Sequence, residues 1–269
     1  MPQNRPMPLS GDTEIPTDPL LGKPVDNFPG RRLRALLIGW PIFIATSLLF
    51  NYAFIDVNAF WVAPLVVVTV GFIGLIIGWW VLHQWNREVI LYEYGFSYRE
   101  GSENVPFQYT EVAAIRLRAE QVTYFFGVFR RVIYRIHIRM VNGDRIRLDN
   151  TYSRVEKMSD EISKQVYTLL RPVYRAKLNE GEPITFADDL YMTADGLHVS
   201  PDAVENAPPD DLFLPWEQSG GYRVASGNLN LLRSDGAVWF VLPLREIDNL
   251  VLLLEFVREK QRATQEPVS

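Results

Sequence analysis

Apolar and polar positions follow three regimes along this chain. Residues Ala35–Ile55 and Phe60–Leu82 are almost wholly apolar and carry no charge. At about 1.5 Å rise per residue, 21 and 23 residues make helices of roughly 31 and 34 Å, enough for a hydrocarbon core of about 30 Å. That pattern predicts a transmembrane hairpin over residues 31–86. Beyond Arg87 the apolar positions fall at period two over short segments, which predicts antiparallel strands with one buried face. Twice the period changes to that of an amphipathic helix, with Val155, Met158, Ile162, Val166 and Leu169 on one stripe and Leu250, Leu253, Leu254 and Val257 on another. Ser153 and Glu156 have the spacing of a capping box at the start of the first.

The flanks set an orientation. Arg31, Arg32 and Arg34 precede the first apolar stretch, Arg87 follows the second, and the short connection carries one acid and no base. The positive-inside bias then predicts a multi-pass membrane protein with both termini and everything after Arg87 cytoplasmic, which in a bacterium is a place in the inner membrane. Trp40, Trp61, Trp79, Trp80 and Trp85 lie towards the ends of the stretches, where an indole keeps its ring apolar and its N–H wet. Gly71, Gly74 and Gly78 give the second helix a small-residue face for packing against the first helix or, alternatively, against a second copy in a homodimer. Residues 1–30 hold seven prolines among scattered acids and no sustained apolar period, which predicts a disordered tail. Residues 263–269 are expected to be a second one.

The rest of the chain repeats itself. Leu91–Tyr98 matches Tyr191–Val199, each with a central glycine, and Val105–Leu117 matches Leu212–Val224, with Tyr109 and Trp216 at equivalent places. Each copy continues with strands turning at Asn142-Gly143 or Asp235-Gly236 and closes with its amphipathic helix. The repeat divides this part into residues 87–172 and 183–262, joined by a segment around Arg171–Thr185 that has Pro172 and Pro183 near its ends.

Short half-buried strands followed by one closing helix resemble pleckstrin-homology-like domains. Val105–Leu117, then Phe125–Phe129, then an alternating strand are similar to the bacterial domains of that type found in two-span membrane proteins. The Leu214-Pro215-Trp216 element completes a layout like that of an uncharacterised bacterial family carrying the pair. The first copy also resembles two-span factors that assist photosystem assembly. The resemblance implies two antiparallel barrels, each closed by a helix, and the role of a scaffold or assembly factor that binds through sheet edges, loops and basic faces.

Charge is divided between the copies. Residues 87–178 hold 16 bases and 11 acids, net +5, while residues 179–269 hold 6 bases and 16 acids, net −10. An anionic lipid surface attracts the first and repels the second. Alternation over Tyr134–Met140 puts Arg135, His137 and Arg139 on one face. A three-residue loop Asn142-Gly143-Asp144 would set Arg147 opposite Arg139 and Leu148 opposite Ile138, keeping arginine out of the core. Arg135, Arg139, Arg145 and Arg147 then form a basic strip without an acid, led into by Arg130 and Arg131. This strip is the candidate site for an anionic lipid or a partner protein, the alternative being a solvated outer face.

Catalytic signals are missing from the sequence. It holds no cysteine, no phosphate-binding glycine loop and no nucleophile elbow. His83, His137 and His198 are scattered, and Asp188-Asp189 and Asp210-Asp211 lie in polar loops where solvated carboxylates are expected. These features predict a non-enzymatic docking scaffold without cofactor or metal and without nucleic acid as partner, or alternatively a module that senses anionic lipid.

Overall fold

The computed structural model describes residues 17–57, 63–100, 103–124, 129–203 and 212–265. The chain falls into two compact units, one ending at Gln108 and the other beginning at Tyr109.

In the first unit, β1 (Pro24–Pro29), β2 (Glu88–Tyr92), β3 (Gly95–Glu100) and β4 (Glu103–Gln108) form one antiparallel sheet in that order. The tail expected to be disordered through residue 30 is therefore corrected. Phe28 lies opposite Val89 in the ladder, and both are buried, as is Leu21. Single apolar anchors in a proline-rich stretch lack the period that marks a strand. The two apolar stretches form α1 (Arg32–Val57) and α2 (Ala63–Trp85), which pack on each other. Among the described residues no helix is long and apolar enough to cross a membrane. On that finding the transmembrane hairpin, the bacterial inner-membrane location and the orientation built on them are not retained. The outward faces of both helices are nonetheless apolar, with Trp40, Leu49, Leu75 and Trp79 exposed.

The second unit opens with a three-stranded sheet, β5 (Val112–Tyr124), β6 (Phe129–Met140) and β7 (Arg145–Asp149), followed by α3 (Val155–Asn179). Then β8 (Ile184–Ala187), β9 (Leu190–Met192), β10 (Gly196–Val199) and β11 (Phe213–Pro215) form a four-stranded sheet. A second three-stranded sheet follows, β12 (Ser219–Ala225), β13 (Asn228–Arg233) and β14 (Val238–Pro243), and α4 (Leu250–Gln265) ends the described chain. The order four strands, three strands, helix thus occurs twice along the chain. The sheets are open, which corrects the expected closed barrels. Short 3₁₀ turns at Tyr109–Glu111 and Trp216–Gln218 end one ladder before the next begins.

The duplication reaches single residues. A Cβ on Gly95 would stand 2.1 Å from the carbonyl oxygen of Phe107, and one on Gly196 would stand 2.3 Å from that of Leu214, so both sites admit only glycine without parting the strands. Tyr109 and Trp216 are both buried. The residue before each closing helix, Arg154 or Asn249, is left-handed with φ of 48° or 51°. Ser153 makes no cap to α3, which corrects the expected capping box.

Helix α3 runs straight through Pro172, so the linker expected from that proline is helical, and the cost of one backbone hydrogen bond is tolerated. Val155, Met158, Ile162 and Val166 are buried as predicted, whereas Leu169 is exposed. Past Pro172, Tyr174 and Leu178 turn to the core formed by Phe186, Leu190, Trp216 and Phe256. On α4 the buried residues are Leu252, Leu253, Phe256 and Val257, a stripe rotated from the expected one. The helix continues to Gln265, where a tail was expected.

Arg171 clamps α4 by a two-pronged pair with Glu255, Nε to Oε1 at 2.6 Å and Nη2 to Oε2 at 2.8 Å. These hydrogen bonds, with the charges of Arg171 and Arg175, hold the Glu255 carboxyl below its ordinary value of 4.5 against the opposing effect of burial. A depressed carboxylate pKa contributes stability that is complete above the unfolded value and is lost as pH falls through the folded one. Arg171→Gln will therefore cost about 1 kcal/mol in urea denaturation at pH 7, and wild type and variant will converge in acid below the folded pKa.

Candidate functional site

The basic face of the β5–β6–β7 sheet arises from alternation on three strands. Arg116 lies opposite His137, Arg118 opposite Arg135, Arg147 opposite His137, and Arg145 opposite Arg139. The hairpin loop has three residues, as expected, but they are Val141, Asn142 and Gly143. The Met140 N–H donates to Asp144 O at 2.8 Å and the Gly143 N–H to Met140 O at 3.0 Å. Gly143 takes φ of 92°, the left-handed position such a bulged turn requires. The register is thereby shifted by two residues from the expected one, setting Ile146 rather than Leu148 opposite Ile138. A shift of two keeps every side chain on its face.

The expected strip is brought together in part. Arg139 and Arg145 line a cleft of about 280 Å³, while Arg135 and Arg147 lie on the same face beyond its lining. The side chains of Arg130 and Arg131, at the start of β6, lie outside the described residues. The face is not free of acid, because Asp149 ends β7 opposite Arg135. Arg116 and Arg118 on β5 and Arg245 complete the cationic lining, and alternation over Ile115–Arg118 was the signal for the first two.

The acids of the cleft come from the other copy. Asp248 accepts from Arg116 Nε at 2.8 Å and pairs with Arg139 Nη2 at 3.0 Å, its side chain only 10% exposed. Asp188 and Glu246 also line the cleft. Asp188 is exposed, as expected of a solvated turn carboxylate, and also lines the cleft, while Asp210-Asp211 lies outside the described residues. The lining holds five arginines and three carboxylates, an excess of two positive charges. His137 adds no charge near neutrality. Burial pushes its pKa below the ordinary value, and Arg147, Arg118, Arg116 and Arg135 push it further the same way.

The cleft is fixed by the residue after Asp248. Asn249 is fully buried, receives the Ile115 N–H on Oδ1 at 2.9 Å and donates its own N–H to Ile115 O at 2.8 Å. Its Nδ2 donates to Tyr174 Oη at 2.8 Å. One asparagine therefore takes both outward backbone groups of Ile115 on the edge of β5, as a neighbouring strand would.

A Cβ on Gly74 would stand 2.9 Å from Phe43, so this glycine permits the packing of α2 on α1. Gly71 and Gly78 have open space within 4 Å. His83 stacks on Trp79, and His198 stacks between Tyr191 and Phe213. The Trp216 indole donates to Ala194 O at 2.8 Å. Among the described residues no group of three or more His, Asp or Glu side chains is placed to hold a metal ion.

Fold and site together define a duplicated α+β protein of open antiparallel sheets, with an arginine-lined cleft where the two copies meet within the second unit. The profile of a family of unknown function, DUF6585, matches residues 16–266, and the chain belongs to that family. The comparison with curated proteins found no match.

Proposed function

We propose that the protein is a non-enzymatic docking scaffold that captures an acidic segment of a partner protein at the cleft lined by Arg118, Arg139, Arg145 and Arg245. The excess of two positive charges in a concave, partly desolvated site supports this reading. Arginine presents a planar fork of donors that suits carboxylates, and a complementary charge pattern favours encounter and correct register over raw affinity. The supporting sheet is rigid, since its core face is filled by Ile115, Ile136, Ile138 and Leu148.

Calorimetric titration of the full chain with a glutamate oligopeptide tests the proposal. Binding is expected at low salt and will weaken as salt is raised. Arg118→Glu with Arg245→Glu will weaken it by about tenfold or more. Unaltered binding by that variant removes the cleft from the reading, and exclusive binding to anionic vesicles transfers the site to lipid. Acidification from pH 7.5 to 6 should tighten peptide binding in the wild type but not in His137→Gln. Burial and the neighbouring arginines lower the His137 pKa in the free protein, and bound carboxylates favour its protonated form as pH falls.

A further inference from the structure

The two edges of the β5–β6–β7 sheet are treated differently. On β5, Ile115 directs its N–H and C=O away from β6, and Asn249 takes both. On β7 the hydrogen-bonded pair Met140–Asp144 fixes the alternation, so Ile146 and Leu148 bond to β6 while Arg145 and Arg147 direct their N–H and C=O outward. Among the described residues, the outward backbone groups of Arg145 and Arg147 have no hydrogen-bond partner, and their guanidinium groups have no ion-pair partner.

We infer that β7 is the docking edge, and that its occupant is an extended peptide with acidic residues at alternate positions, added to the sheet as a fourth strand. The inference deepens the docking reading and rests on it. Cross-strand neighbours share a face, so peptide residues opposite Arg145 and Arg147 stand on the basic side next to the cleft, while the residues between them fall on the side of Ile146 and Leu148. The charge of the edge selects acids at every second place, and the pleat selects apolar residues between them. Main-chain hydrogen bonds to the edge supply affinity and the alternate side chains supply specificity. The same arginines repel a second copy of β7, which guards the edge against pairing with itself.

The test uses the full chain and labelled synthetic peptides of about eight residues, long enough to cover the strand, read by fluorescence anisotropy. An alternating glutamate–valine peptide should bind about tenfold more tightly than a peptide of the same composition with its glutamates in one block. Methylation of the amides that face β7 should cause a similar loss without changing charge, as should Arg147→Glu in the protein. Equal binding of the alternating, block and methylated peptides overturns strand addition while leaving charge-driven docking in place. Failure of every acidic peptide to bind overturns both.

Discussion

Replacing Asn249 with alanine will destabilise the second unit by about 3 kcal/mol, a fall in the unfolding midpoint on the order of 10 °C. Two effects add. The Ile115 N–H loses its acceptor at a residue only 1% exposed, and an orphaned buried donor costs about 1–3 kcal/mol. Alanine must also adopt the left-handed backbone that asparagine holds at φ of 51°, which costs roughly 1 kcal/mol more. Asn249→Gly separates the two, because it relieves the backbone without restoring the hydrogen bonds and should recover only about 1 kcal/mol. Thermal unfolding of the three proteins by circular dichroism provides the measurement. If Asn249→Ala unfolds within about a degree of wild type, the residue is not the clamp that its geometry describes.

The clamp also bears on the cleft, because Asp248 and Asn249 are adjacent and act on the same strand. Asn249 fixes the backbone at Ile115, and Asp248 then reaches Arg116 on the following residue and Arg139 across the ladder. Any loosening of Asn249 should appear in the ligand affinity of the cleft as well as in stability.

Patterns local in sequence were legible, whereas pairings distant in sequence were not. The alternation of β6, the three-residue loop, the glycines at equivalent turns and the apolar stripe of α3 each depend on neighbours a few residues apart. The clamps Ile115–Asn249 and Arg116–Asp248 join positions more than 130 residues apart, and no period announces them. Taken copy by copy, the charge division points to a lipid surface. Arg116, Arg139, Arg171 and Arg175, all before residue 179, instead hold Asp248, Glu255 and Glu259, all after it. The asymmetry is in part an internal complementarity. Ser153 has the spacing of a cap, but the chain enters α3 through a left-handed Arg154, and α3 continues past Pro172, where Tyr174 and Leu178 pack on the core.

Asp248→Asn should strengthen binding of acidic peptide while weakening the fold. The carboxylate of Asp248 engages Arg116 and Arg139 and so acts on the cleft as a tethered acid, doing from within what a peptide carboxylate would do from outside. Asparagine keeps the shape and one acceptor but removes the charge, raising the excess of positive charge in the cleft lining from two to three. One further unscreened charge a few ångströms from a bound carboxylate contributes about 1 kcal/mol at partly exposed sites, a gain of about fivefold in affinity at low salt. The same change leaves Arg116 and Arg139 without their shared partner. Because those side chains are 29% and 47% exposed, water recovers part of the loss and the cost should be about 1–2 kcal/mol. Tighter binding together with a lower unfolding midpoint would identify Asp248 as a carboxylate that holds the copies together at the expense of the site. A folded variant that binds acidic peptide no better than wild type would show that the arginines of the cleft are committed to the fold and that docking belongs elsewhere.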